Sequence, residues 1–329
     1  MTMPTLENPT RSIDVSFTAY ALAREQAAAA HGVDGVTDYA FSLDRKMHRR
    51  LAMIKPLHGL ARAAAGYTVT IQRQLMQMEA VAVGPRQYPE IHAIGEDCAR
   101  RLGIGVPQIF VKFDVTPNAY TLATDECGDM IVLHTSLVEM MSLEELRFII
   151  GHESGHIHNQ HVVYNTMVEL ITNPALTAML GRIPGAFLPI VLLRSTLGLF
   201  LMAWSRCAEV TADRSGLICS GNIEAARYAL AKLQTGGGET LKQVNLDEYV
   251  RQIEAIQATP VRLTELNMSH PITAKRIEAL RLFDQSEALY SWRPEMRRDG
   301  PGRSLADVDD QCEAFISVLS SGYHGFWRS

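Results

Sequence analysis

The chain has 329 residues, 47% apolar and 20% charged, with ordinary glycine and proline contents; this composition supports a sizeable core and excludes collagen-like, coiled-coil and wholly disordered architectures. Its net charge of −5 argues against a dedicated nucleic-acid binder, which needs surplus Lys and Arg to displace counterions. Five cysteines, Cys98, Cys127, Cys207, Cys219 and Cys312, lie scattered without a CxxC pair, so neither a disulfide framework nor a thiolate zinc site is expected, and a reducing compartment fits.

In chain order, the first thirty residues show no basic stretch followed by an apolar run. Glu7, Arg11 and Asp14 break any signal pattern, so the expected location is cytoplasmic. Strong helix formers run from Phe17 to Ala30 before Gly32, and again from Asp44 to Ala65 before Gly66. In the second stretch Arg45, Lys46, His48, Arg49 and Arg50 read as a solvated face, with contact to anionic lipid as the alternative. An amphipathic helix is expected from Tyr88 to Leu102, ending at Gly103. Strands are expected at Gln108–Asp114, Ala119–Thr124 and Met130–His134, the last two joined through an acidic, glycine-containing turn, Asp125–Asp129.

Ser142-Leu-Glu-Glu145 is a capping-box pattern and announces a helix running past His161. Further helices are expected at Asn165–Leu180, Phe187–Leu217, Ile223–Leu233 and Ile272–Phe283, with a loop at Gly236–Gly238. Trp292–Arg303, rich in proline, glycine and arginine, reads as a linker to a short helix at Leu305–Leu319. The expected fold class is α+β, mostly helical, with a small sheet beside the capped helix. The expected organisation is an N-terminal helical extension (1–85), a central domain (86–285), and a linker with a C-terminal helix (286–329).

The capped helix contains Gly151-His-Glu-Ser-Gly-His156, an HExxH pattern. Residues four apart share a helix face, so His152 and His156 can offer imidazole nitrogens to one metal ion while Glu153 stands beside a coordinated water. A hydrolytic zinc site needs three protein ligands and an open position, with a carboxylate to take the proton of an acidified water. The bland alternative is two surface histidines and a glutamate on an ordinary helix. Leu146, Ile149, Ile150 and Ile157 oppose it by giving the helix a buried side, and Gly151 and Gly155 ask for a close neighbour or ligand. Downstream, Glu209 and Asp213 lie four apart on another expected helix. Glu209 completes a two-His, one-Glu set, and Asp213 is placed to bond the far nitrogen of a ligating histidine. A solvated acidic face is the alternative, disfavoured by the apolar neighbours Trp204, Val210 and Leu217. His134, which precedes the helix, and His158 and His161, which do not share the face of the pair, receive no ligand role.

These residues resemble the HtpX-like and CAAX prenyl protease type 1 family of zinc metallopeptidases, part of the gluzincins. The resemblance rests on Pro117-Asn-Ala-Tyr120, the strand and turn after it, the HESGH helix, the Ser205–Asp213 block and Ser269-His-Pro-Ile-Thr-Ala-Lys-Arg-Ile277. It spans roughly Tyr88 to Phe283 and implies a zincin-like metallopeptidase domain. It implies one zinc ion held by His152, His156 and Glu209, Glu153 as general base, and Asp213 bonding a ligand from behind. It further implies that His270 stabilises the oxyanion and that Arg276 holds the substrate backbone or carboxylate. Asn118, Ala119 and Tyr120 would bind an extended polypeptide substrate as an added antiparallel strand. On the residues alone, Asn118 also reads as a turn asparagine, His270 as a feature of a helix start, and Arg276 as a surface residue.

Ile183 to Trp204 is apolar enough to raise the question of a membrane span. Pro184, Pro189 and Arg194 interrupt it, and a single crossing would put Glu209 on the opposite side from His152 and His156. A buried or lid helix is therefore preferred, with peripheral membrane contact as the alternative. The expected activity is that of a zinc endopeptidase acting on extended or unfolded polypeptides. Two other readings stay open: a latent or non-catalytic zinc-containing peptide-binding protein, and a metal-dependent hydrolase of non-peptide substrates.

Overall fold

The computed structural model describes residues 32–33, 36–53, 73–122, 128–162, 164–165, 168, 187–238, 241–257 and 260–318. The expected helix Phe17–Ala30, the continuation of Asp44–Ala65 beyond Met53, nearly all of Asn165–Leu180, residues 123–124 of the expected strand and residues 125–127 of the expected turn lie outside them. In order, the elements are β1 (Gly32–Val33), β2 (Val36–Thr37), α1 (Ser42–Met53), β3 (Ala80–Ala82), α2 (Pro89–Leu102), β4 (Gln108–Lys112), β5 (Ala119–Leu122), β6 (Met130–His134), α3 (Thr135–Met140), α4 (Leu143–His158), α5 (Phe187–Ser220), α6 (Ile223–Thr235), α7 (Leu246–Gln257), α8 (Thr273–Phe283), α9 (Glu287–Trp292) and α10 (Leu305–Ile316). The class is mostly helical α+β, as expected; β3, α3, α7 and α9 are elements the sequence patterns do not signal.

Local chemistry explains the boundaries of the central elements. Pro89 opens α2, and Gly103, at φ 66°, closes it by donating to the carbonyls of Ala99 and Arg100. The capping box of α4 forms: Ser142 Oγ accepts from the Glu145 amide (3.3 Å) and Glu145 Oε2 accepts from the Ser142 amide (2.6 Å). Contrary to expectation, α4 stops at His158 rather than running past His161. Asn159 Nδ2 turns back to the Gly155 carbonyl (2.9 Å), Gln160 adopts a left-handed φ of 58°, and the His161 amide closes onto the His156 carbonyl (3.0 Å). That reversal takes His161 off the helix and tucks it behind His156.

The sheet runs β3-β4-β6-β5. β4 and β6 are parallel, with Phe110 opposite Val132; β5 is antiparallel to β6, with Tyr120 opposite the same Val132. All five residues of β6 are buried, and β5 forms an edge, beside α4.

α4 and α5 cross at close range. A Cβ on Gly151 would stand 2.5 Å from Cys219 Cβ, one on Gly155 2.6 Å from Ser215 Cβ, and one on Gly216 2.8 Å from the Phe148 ring and carbonyl. The neighbour that Gly151 and Gly155 ask for is thus another helix, and Ser215 Oγ seals the crossing by donating to the Gly151 carbonyl (3.0 Å). Both chain-end regions join α5. Phe41 packs with Cys207, Val210, Leu282, Val308, Cys312 and Phe315, and buried Arg214 pairs with Asp309 (2.7 Å) while donating to the Tyr39 carbonyl (3.1 Å). Leu201, Met202 and Trp204, at the end of the apolar stretch, are buried against Leu51, Tyr164 and Val168. Among the described residues no helix is long and apolar enough to cross a membrane.

Candidate metal centre and active site

α4 and α5 bring His152, His156 and Glu209 together, all buried, with one ligand atom from each lying within 4.8 Å of the others. His152 Nε2 lies 3.5 Å from Glu209 Oε2, and His156 Nε2 lies 3.4 Å from Glu209 Oε1. Two atoms bound at about 2.05 Å around a tetrahedral ion lie about 3.3 Å apart, so the separations fit such an ion. The donor chemistry agrees: two imidazoles and a carboxylate suit zinc and its first-row neighbours. Both imidazoles turn Nδ1 away from this centre. His152 Nδ1 meets Asp213 Oδ1 at 2.9 Å, and His156 Nδ1 meets His161 Nδ1 at 2.9 Å.

Arg276, on α8, donates to Asp213 through Nε (2.8 Å) and Nη2 (2.6 Å), and its Nη1 lies 3.3 Å from Glu209 Oε2. The resemblance implies a hold on substrate for this residue; here the guanidinium, 11% exposed, is taken up by carboxylates of the protein. Burial alone would push the Asp213 carboxyl up, but Arg276 and the bond from His152 outweigh it and hold it below the ordinary range. Burial likewise opposes ionisation of Glu209, while His270 and Arg276 keep its carboxyl well below its usual value. Desolvation lowers His156, but Glu209 prevails and raises it. Both carboxylates are therefore ionised at neutral pH, the form that binds a cation.

His270 Nδ1 lies 3.1 Å from Glu209 Oε2 while 61% of its side chain is exposed. Glu209 raises its pKa against the opposing effect of burial. The segment leading to it is anchored from beneath. Arg206, one turn before Glu209 on α5, donates to the carbonyls of Glu265 and Met268 (2.8 Å each), and buried Lys275 pairs with Glu265 (2.9 Å). Arg206 belongs to the Ser205–Asp213 block, but residue spacing gives no hint of this anchoring.

Glu153 sits on α4 facing the sheet. Thr121, on β5, donates to Glu153 Oε2 (2.7 Å) and lies 3.1 Å from the Glu153 carbonyl, which ties the carboxylate to the edge strand. Of the expected substrate-binding residues, Ala119 and Tyr120 lie on β5 itself, and the carbonyl of Asn118 accepts from the His134 amide (3.0 Å). Sequence reasoning misses Thr121, Arg206, Asp44 and the contact made by His161. His161 alone carries a signal, its nearness to the HExxH run, and the assumption of an unbroken helix points it the wrong way.

The model of peptidase family M48 matches residues 85–283. The chain belongs to that family. This M48 peptidase is 29% identical over 266 residues to the plastoglobule-localized metallopeptidase 48, chloroplastic, of Arabidopsis thaliana, covering 76% of this chain and 73% of that protein. It is 26% identical over 243 residues to a protease HtpX homolog of Bifidobacterium longum, covering 68% and 79%, and 26% identical over 216 residues to one of Pyrococcus abyssi, covering 60% and 75%. No solved structure matches the chain at a significant level. The resemblance read from the motifs is thus a family membership. The chain is a metallopeptidase, and its substrates are polypeptides.

Proposed function

We propose that this M48 peptidase is a zinc-dependent endopeptidase that cleaves extended or unfolded polypeptides laid along β5. The observation that carries the reading is the convergence of His152, His156 and Glu209, from two helices locked together by glycines, into a tetrahedron-sized cluster beside Glu153. Zinc bound there supplies a Lewis acid that polarises a carbonyl and acidifies water.

The protein's own groups do the rest. The edge formed by Asn118, Ala119 and Tyr120 receives the peptide as an added antiparallel strand through those main-chain groups not already paired with β6, giving affinity with little dependence on side chains. Glu153 accepts the proton of the attacking water and returns it to the leaving nitrogen, and the hydroxyl of Thr121 fixes which carboxylate oxygen is free to do so. His270, exposed beside the ligand cluster, stabilises the tetrahedral oxygen. Arg276 acts through Asp213 and Glu209, which it aligns.

Glu153→Gln tests the assignment, because the amide keeps the shape and loses the basicity. Expected are stoichiometric zinc and a fall of at least about 100-fold in cleavage of a casein-like unfolded substrate. Undiminished cleavage by the variant would overturn the role of Glu153. Zinc in the wild-type chain with no proteolysis would instead favour the peptide-binding alternative.

A further inference from the structure

His156 has a second connection, which leads out of the family-matched region. From His156 Nδ1 it passes to His161 Nδ1 (2.9 Å) and from His161 Nε2 to Asp44 Oδ2 (3.0 Å). Asp44 lies in the first turn of α1, before the start of the match at residue 85. It is itself held by Trp204 Nε1 on Oδ1 (2.9 Å) and by Thr211 Oγ1 on Oδ2 (2.7 Å), and that hydroxyl accepts the amide of Phe41 (3.1 Å). His156, His161 and Asp44 are all buried.

We infer that Asp44 and His161 form a positioning relay that fixes His156 in the tautomer whose Nε2 can bind the metal, so that α1 completes the metal site. This rests on the zinc reading above. A carboxylate only accepts, so the proton between Asp44 and His161 sits on His161 Nε2. In the neutral ring, His161 Nδ1 then carries the lone pair and accepts from His156 Nδ1–H. That leaves the lone pair of His156 on Nε2, the nitrogen facing Glu209 Oε1 at 3.4 Å. Each proton has one place to go, and the direction of the whole series is set by Asp44. The Asp44 carboxylate is held in this arrangement by three donors, His161 Nε2, Thr211 Oγ1 and Trp204 Nε1.

Asp44→Asn reverses the series without changing its shape. Trp204 N–H keeps the amide oxygen at the Oδ1 position, so the NH2 group faces His161 Nε2 and donates to it, while Thr211 Oγ1, a donor to Oδ2 in the wild type, accepts there instead. His161 then carries its proton on Nδ1, His156 must accept there, and its own proton moves to Nε2, where the metal would bind.

The experiment uses the full-length chain and measures zinc affinity by chelator competition, the cobalt(II) absorption spectrum of the substituted site, and Tm. Asp44→Asn is expected to weaken zinc about 10- to 100-fold and to alter the cobalt spectrum. Ser142→Ala, which removes the cap of α4 far from the relay, is expected to lower Tm while leaving zinc affinity within about threefold of wild type, well short of that loss. Wild-type zinc affinity in Asp44→Asn, or an equal loss in Ser142→Ala, overturns the relay. A wild-type chain that binds no zinc overturns both the relay and the zinc reading. A further readout needs no variant: in metal-free wild-type protein, imidazole nitrogen NMR is expected to show protons on His156 Nδ1 and His161 Nε2. The opposite pair of tautomers would sink the inference.

Discussion

The two imidazoles of the candidate metal centre face the same way on α4 and are backed in different ways. His152 meets a carboxylate directly, and that carboxylate, Asp213, lies one turn beyond Glu209 on α5 and is clamped by Arg276 from α8. His156 reaches its carboxylate through another imidazole, and Asp44 arrives from the far end of the chain. One backing is built within the family-matched segment; the other draws on α1 and on a left-handed turn at Gln160. The contrast teaches that identical side chains four residues apart can depend on quite different parts of the chain for their orientation.

Four substitutions break or sharpen that comparison, beginning with the feature both histidines share. Glu209→Gln removes the charged ligand common to both Nε2 atoms, and stoichiometric zinc, measured by metal analysis after dialysis, is expected to be lost. Asp213→Asn acts directly on the His152 side. It should weaken zinc by at least the roughly 10- to 100-fold typical of outer partners, and by more than Asp44→Asn, because it also leaves Arg276 without its main acceptor. Equal losses in a chelator competition would show the two backings to be equivalent. Gly155→Ala forces Ser215 away from a Cβ only 2.6 Å distant and is expected to lower stability by about 1 to 3 kcal/mol, read from urea midpoints. Thr121→Val removes the hydroxyl from Glu153, on neither histidine's side. A fall in kcat of about 3- to 10-fold is expected, equivalent to one hydrogen bond of about 1 kcal/mol, with zinc affinity unchanged.

How much of this is legible in the sequence depends on how local each signal is. The capping box at Ser142, the HExxH spacing, the i,i+4 pair Glu209 and Asp213, and the glycine stop of α2 are written in neighbouring residues, and the structure brings those residues into the expected elements. β3 and α3 are only three and six residues long, and they owe their form to the sheet and helix they adjoin. The basic cluster of α1 reads as a solvated face, yet His48 stacks on Trp204 with ring centroids 6.3 Å apart. Asp44, two residues into the same helix, is no more readable. Its partners, His161, Trp204 and Thr211, come from more than a hundred residues away. No spacing rule reaches across such distances, and a reversal at one non-glycine residue, Gln160, is enough to redirect His161.

The glycine-lined crossing of α4 and α5 bears on how the enzyme behaves when its metal is stripped. Gly151, Gly155 and Gly216 let two backbones touch, so the gap between the histidine pair and Glu209 is set by main chain against main chain. Small metal-nucleated modules collapse when they lose their ion, whereas a pocket spaced in this manner should outlast chelation as a ready-made cup. Removal and return of the ion would then be a reversible on–off control, operating without any refolding step.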